Sequence, residues 1–73
     1  MSAAKRLEMI QNAWANGRTV SFSTHTRTVR VTAKTAQRWE EYGQPFARVA
    51  GDTLQIIEGR RYVDAMGCAI RIG

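Results

Sequence analysis

The chain has little of what usually stabilises a small domain. Its 73 residues include one cysteine, Cys68, so an intramolecular disulfide is excluded. The single histidine, His25, together with that cysteine falls short of the four ligands of a structural zinc site. A domain this short hides only about 60–65% of the surface that its unfolded chain exposes. Its stability therefore depends on a well-packed core or on self-association, and a homodimer stays an open alternative to a monomer.

Long apolar runs are also missing. No stretch approaches the roughly 18 consecutive apolar residues that span a bilayer, and no apolar core of a signal peptide follows the first residues. A lone cysteine in such a chain fits a reducing compartment, so we expect a cytoplasmic protein without a membrane partner. A hydrophobic content of 44% with 23% charged residues is typical of a folded globular domain.

Groups that could carry out catalysis are few. His25 stands in a threonine-rich segment with no carboxylate beside it, and we interpret it as a surface or turn residue. Glu40 and Glu41 are neighbours in a predicted helix, where their side chains diverge by about 100° and cannot share a proton or a metal. The glycines of the second half fall in separate turns, so there is no glycine-rich loop for a phosphate. We therefore predict a protein that is not an enzyme and has no cofactor.

Carboxylates are absent from the segment between Gly17 and Glu40, whereas five basic residues lie within it: Arg18, Arg27, Arg30, Lys34 and Arg38. The formal net charge of the whole chain is +5, so the charge of this segment equals the net charge of the whole chain. Arginine outnumbers lysine nine to two, and its forked guanidinium binds phosphate or carboxylate better than an ammonium group does. A local positive field of this kind favours a polyanionic partner, either nucleic acid or an acidic protein surface.

The first part of the chain predicts a helix over about 3–15. Leu7, Ile10 and Trp14 fall on one face, Ser2 can cap the start, and the pair Asn16-Gly17 can end the helix. From Thr19 the period changes to two, which is typical of strands. The segment 19–31 is either one long bent strand or a hairpin that turns near His25.

A second helix is predicted over about 33–43, with Thr32 as its N-cap and with Gly43 and Pro45 ending it. Four short strands follow, separated by turn residues, at 46–50, 53–57, 61–65 and 68–72. Cys68 alternates with isoleucines in the last strand and is interpreted as a core residue. The chain is therefore predicted to be a small single domain of the α+β class. Two helices would pack on an antiparallel sheet of about four to six short strands, in the order α-β(β)-α-β-β-β-β.

The binding residues predicted from this layout form two groups. The first is a continuous patch where the strand passes into the second helix, with threonine hydroxyls among the charges: Arg27, Arg30, Lys34 and Arg38. The second group is Arg60 and Arg61, at the tip of a hairpin. Tyr42 and Tyr62 could stack on bases, but so few aromatic residues disfavour an RNA-binding sheet lined by several exposed rings.

The stretch 32–56, TAKTAQRWEEYGQPFARVAGDTLQI, resembles the recognition helix and wing of excisionase-type winged-helix proteins. It has a capped helix, a turn with glycine and proline, and a small hairpin that carries Arg48. The resemblance implies that the helix bearing Lys34 and Arg38 enters the major groove of DNA while the hairpin touches phosphates. The family places another short helix just before this one, where the present chain has the strand-like VSFSTHTRTVRV.

The overall layout is similar to small uncharacterised proteins of temperate phages and prophages. The likeness includes the N-terminal amphipathic helix, the NGRTV entry to a strand at 16–20, the Thr-Ala-Lys-Thr start of the second helix, and the hairpin GDTLQIIEGRRYV at 51–63. It implies no activity, but small phage proteins often act by occupying a host macromolecule.

Two hypotheses follow. The first is a small non-enzymatic nucleic-acid-binding protein that uses the two basic groups. The alternative is an accessory factor, of phage origin in this view, that docks on an acidic host protein. The same arginines would then pair with carboxylates, and an exposed edge strand at 68–72 could extend a sheet of the partner.

Overall fold

A computed structural model describes residues 2–24 and 26–73, so the interpretation of His25 lies outside the described residues. Two helices and six strands follow one another along the chain: α1 (Ala3–Ala15), β1 (Val20–Ser23), β2 (Thr28–Val31), α2 (Ala33–Glu41), β3 (Ala47–Ala50), β4 (Thr53–Glu58), β5 (Arg61–Asp64) and β6 (Ala69–Ile72). The predicted α+β class is confirmed. The structure has six strands, the upper end of the predicted range of four to six.

Both helices begin at the predicted caps. The Ser2 hydroxyl accepts a hydrogen bond from the Lys5 amide at 3.1 Å, and the Thr32 hydroxyl accepts one from the Thr35 amide at 3.2 Å. These bonds satisfy amides that the first helical turn leaves without a partner. Helix α2 ends at Glu41, two residues earlier than predicted, and the chain then reverses through Gly43.

The segment 19–31 is a hairpin, which decides between the two alternatives. β1 and β2 pair antiparallel, with Val20 opposite Val31 and Ser23 opposite Thr28. Thr24 holds the turn: its amide donates to the Arg27 carbonyl at 2.8 Å, and its hydroxyl accepts from the Arg27 amide at 3.1 Å. This side chain stabilises the turn without the glycine or asparagine that a tight hairpin usually needs.

The six strands divide between two three-stranded antiparallel sheets, with the orders β2-β1-β6 and β3-β4-β5. The second sheet is built from consecutive hairpins. The third strand of the first sheet is β6, the last strand along the chain. After β5 the chain passes through a turn in which the Cys68 amide donates to the Ala65 carbonyl. β6 then pairs with β1, with Ile70 opposite Phe22. Local alternation predicts the strands themselves but not this division.

An aromatic cluster joins the two sheets and the two helices. The ring of Phe22, in β1, lies 5.5 Å from that of Phe46, which precedes β3. Trp14 of α1 and Trp39 of α2 each lie 6.3 Å from the same Phe46 ring. The Trp14 indole also donates a hydrogen bond to the Val31 carbonyl at 3.0 Å, which ties α1 to β2.

The remaining core confirms the apolar stripe of α1 and the interpretation of Cys68. Ile10 and Ala13 of α1 are buried in the same core as Leu54 of β4, and Cys68 is 7% exposed. Along the described chain, neither helix combines the length and the apolar character that crossing a membrane requires.

Candidate functional site

The outer face of the sheet β2-β1-β6 is polar and basic. Strand alternation directs Val20, Phe22 and Val31 into the core, so the intervening side chains face solvent. We call this surface the basic face, and it consists of Ser21, Ser23, Thr28, Arg30, Ala69 and Arg71. None of these residues is a carboxylate.

Two arginines flank a serine at the centre of the basic face. In the register of the sheet, Ser21 lies opposite Arg30 of β2 on one side and opposite Arg71 of β6 on the other. Because neighbouring strands lie about 4.8 Å apart, the α-carbons of the two arginines are about 10 Å apart. Their guanidinium groups can therefore approach two separate anionic groups, or fork around one.

Hydroxyl groups occupy the next row of the same face. The Ser23 and Thr28 hydroxyls are hydrogen-bonded to each other at 3.0 Å, and Ser21 lies one row away. Other threonine hydroxyls named among the charges take part in local structure: Thr24 holds the hairpin turn, and Thr35 bonds with Thr32 at 3.1 Å. The basic face thus offers serine and threonine donors beside guanidinium groups, the combination that commonly binds phosphate oxygens.

Most of the positive charge has no carboxylate partner. The described residues contain two ion pairs, Lys5 with Glu8 at 3.9 Å and Arg27 with Glu58 at 3.5 Å. The basic side chains of the basic face and of α2 take part in neither pair, and all are exposed: Arg30, Lys34, Arg38 and Arg71. Their field therefore extends into solvent instead of being neutralised within the protein.

The residues of the first predicted group follow one another from the β1–β2 turn along β2 and α2. Arg27 lies in the turn before β2, whereas Lys34 follows the opposite end of that strand, in the first turn of α2. Arg30 lies between them, and Arg38 is one helical turn beyond Lys34. These residues are spread along the turn, β2 and α2, and Ser21 lies between Arg30 and Arg71 across the sheet.

The second predicted group meets the first at Glu58. Arg61 lies opposite Glu58 in the register of β4 and β5, and Arg27 approaches the same carboxylate from the β1–β2 turn. Between Glu58 and Arg61 the chain turns through Gly59, with φ of 68°, and Arg60. A glycine with positive φ at the first central position is typical of a type II′ hairpin turn. Arg27 of the first group and Arg61 of the second therefore lie near the same carboxylate, which forms an ion pair with Arg27.

The two tyrosines differ in how much of each ring is free. Tyr42 follows α2 and is 75% exposed. Tyr62 is half-buried, its hydroxyl donates to the Pro45 carbonyl, and the Arg48 guanidinium covers its ring at 3.6 Å from the centroid. Arg48 also donates to the Gln55 side chain at 2.9 Å, so the residue that the winged-helix resemblance assigns to phosphate contact takes part in local packing.

The lone thiol shows no sign of activation. Burial raises the pKa of Cys68 above its ordinary value, the nearby carboxylates of Asp64 and Glu58 raise it further, and Arg6 opposes them. A thiol with a raised pKa is mostly protonated at neutral pH and is a poor nucleophile. Within 2–24 and 26–73, no three histidine, cysteine or carboxylate side chains gather as metal ligands would.

Sequence reasoning missed Arg71 and Glu58. The alternation of isoleucines in the last strand already indicated that Arg71 points away from the core, but not that Arg30 would lie across from it. Comparison with known proteins finds no family model that matches this chain, and no curated protein or solved structure with significant similarity.

Proposed function

We propose that this protein binds nucleic acid through the basic face and the adjoining cations of α2, and that it does so without catalysing a reaction. The observation that carries the proposal is the cross-strand row Arg30–Ser21–Arg71 on an open sheet surface without carboxylates. Guanidinium and hydroxyl groups together are the usual partners of a phosphate backbone.

The same surface favours contact with phosphates over contact with bases. Base stacking requires exposed aromatic rings, and the basic face has none. Direct reading of duplex sequence requires side chains that reach base edges in a groove, whereas a flat sheet face with two arginines suits the backbone. We therefore expect binding with little sequence preference.

The expected affinity is modest and strongly dependent on salt. Four phosphate contacts, from Arg30, Arg71, Lys34 and Arg38, would make log K fall by about 2.8–3.6 per decade of salt, at roughly 0.7–0.9 per contact. The slope is a more direct test than the affinity at any single salt concentration, because it counts the contacts.

Fluorescence anisotropy with labelled duplex DNA, single-stranded DNA and RNA, measured over a salt series, tests the proposal. Replacing Arg30 and Arg71 together by alanine should lower the slope by about 1.4–1.8. The matched control replaces Lys5 and Arg6 by alanine. These substitutions remove the same charge from α1, a helix that lies outside the basic face and contacts β1, β3 and β4. The control should lower affinity much less and leave the slope within about half a unit of the wild type.

Two results would contradict the proposal. One is the absence of binding to all three nucleic acids at low salt. The other is an equal change of slope in the Arg30/Arg71 variant and in the α1 control, which would mean that net charge alone drives the binding. Either result would favour the alternative, in which the basic face contacts carboxylates of a protein.

A further inference from the structure

An apolar groove runs between α1 and β6, on the other side of the sheet from the basic face. Its volume is about 230 Å³, and Met9 and Ile72 line it together with Ile10 and Ile70. Four large hydrophobic side chains are exposed in the described chain, and two of them, Met9 at 43% and Ile72 at 38%, lie in this groove. A third, Met66, accepts a hydrogen bond from Arg6 at the groove wall. Exposed hydrophobic groups concentrated at one place indicate a contact surface.

The groove runs beside an open strand edge. β6 is the last strand in the order β2-β1-β6, and among the described strands it pairs with β1 alone. The Gly73 amide donates to the Thr19 carbonyl, so these two residues form a hydrogen-bonded pair. Hydrogen-bonded and non-hydrogen-bonded pairs alternate along an antiparallel ladder, and the backbone amide and carbonyl of Arg71 therefore also point toward β1. The amide and carbonyl groups of Ile70 and Ile72 then point to the open edge, where another strand could bond to them.

Edge and groove together fit one mode of recognition, the addition of an extended segment as a further strand. The backbone groups of Ile70 and Ile72 would supply the hydrogen bonds. Every second side chain of the added segment would enter the groove beside Met9 and Ile72, and the others would lie on the outer face next to Arg71. The segment must therefore alternate between apolar and polar residues.

The charges around the open end of the groove select an acidic partner. Arg18 lines the depression that continues from the groove past Met9 and Ile72, and Arg71 lies on the outer face of the same edge. Among the described residues, no carboxylate lines the groove or this depression. A second copy of the chain paired along β6 would bring its own Arg71 close to these cations, which opposes self-pairing.

We propose that the β6 edge and its groove bind an extended segment of another protein, in which apolar residues alternate with aspartate or glutamate. The apolar side chains fill the groove, and the carboxylates lie on the outer face next to Arg71, while Arg18 at the end of the groove adds to the positive field around the segment. This surface is separate from the row Arg30–Ser21–Arg71, except for the shared Arg71, and it does not require the protein to bind nucleic acid.

Selection from a random peptide display library tests the proposal. The wild-type protein is the bait, and the variant Met9→Glu is used for counter-selection. Enriched peptides should show a period of two, with apolar residues alternating with acidic ones. A synthetic, labelled copy of one enriched peptide should lose at least tenfold in affinity for Met9→Glu and for Ile72→Glu. Tyr42→Glu makes the same kind of change at an exposed hydrophobic residue outside the groove, and its affinity should stay within twofold of the wild type.

Amide hydrogen exchange shows whether the peptide pairs with the edge. In the free protein the amides of Ile70 and Ile72 should exchange faster than that of Arg71, and bound peptide should slow them at least tenfold. The proposal is wrong if no peptide is enriched, if the enriched peptides are basic or have helical periodicity, or if binding leaves these two amides unprotected. It is also wrong if they become protected at high protein concentration without peptide while sedimentation shows a dimer, since a second copy would then cover the edge.

Discussion

Replacing Glu58 by glutamine tests whether this carboxylate limits the proposed binding of nucleic acid. Its Oε1 lies 3.5 Å from Nη2 of Arg27, and Arg61 is its cross-strand neighbour. Glutamine keeps the size of the side chain and one acceptor oxygen but removes its charge. The Arg27 guanidinium then loses its ion-pair partner, so we expect tighter binding of nucleic acid with little change in stability.

The expected magnitudes follow from the exposure of the pair. The side chains of Arg27 and Glu58 are 56% and 48% exposed, and an ion pair so accessible to solvent contributes at most about 1 kcal/mol to stability. For a domain of this size that energy corresponds to a decrease in Tm of less than about 8 °C. One additional phosphate contact steepens the dependence of log K on log salt by about 0.7–0.9, and tightens binding by up to about tenfold near 50 mM salt.

Anisotropy over a salt series and a thermal melt measure the two effects separately. Asp52→Asn is the matched control, because it raises the net charge equally. Asp52 lies in the turn before β4, whereas Glu58 ends that strand, so the six residue steps between their α-carbons span up to about 20 Å at roughly 3.3 Å per residue. The reasoning is refuted if Glu58→Gln binds no more tightly than the control, or if its Tm falls far more than the ion pair can explain.

Three further predictions concern stability. Trp14→Phe removes the hydrogen bond to the Val31 carbonyl, and urea unfolding should show a loss of about 1–3 kcal/mol, whereas an unchanged midpoint would mean that the bond contributes nothing. Burial raises the pKa of the Cys68 thiol, so its contribution to stability is complete below the unfolded-state pKa, near 8.5, and is lost as pH rises through the folded-state pKa. As pH rises above about 8.5, the unfolding free energy of Cys68→Ala should therefore fall less than that of the wild type. Parallel curves of unfolding free energy against pH would contradict this. Gly59→Ala should cost about 1–2 kcal/mol because φ is +68° there, whereas Gly67→Ala, at ordinary φ and with free space around it, should cost little.

The parts of the fold that sequence reasoning predicts well depend on neighbours in the chain. The helix at 3–15 and both caps are set by residues within one turn of each other, and the strands from β3 to β6 are bounded by turn residues beside them. The hairpin at 19–31 stayed undecided because its turn depends on the Thr24 hydroxyl, and this side chain takes the place of the usual turn residues. Sequence patterns of helices, strands and turns reflect local conformational preferences, and these elements form where those preferences indicate.

The candidate site depends on pairing between distant segments, and local patterns do not report that. Arg30 and Arg71 become neighbours only because β6 returns to β1. Glu58 reaches Arg27 only because two hairpins adjoin. The Tyr62 ring is covered by Arg48, a contact across the second sheet that no spacing in the sequence indicates. Residue type and charge predicted which side chains lie at the surface, whereas the topology decides which of them act together.

The pairing of β1 with β6 also sets an order for folding during synthesis. The hairpins of β3-β4-β5 join consecutive segments, so this sheet can form as soon as the ribosome has released it. The hairpin of β1 and β2 is released first, but a two-stranded ribbon alone is at best marginally stable in water. It gains its third strand only when residues 69–72 emerge, and such pairing between distant segments is intrinsically slow. The basic face, which needs β6 for Arg71, is thus assembled later than the sheet β3-β4-β5, and a nascent chain that lacks residues 69–72 should not present it.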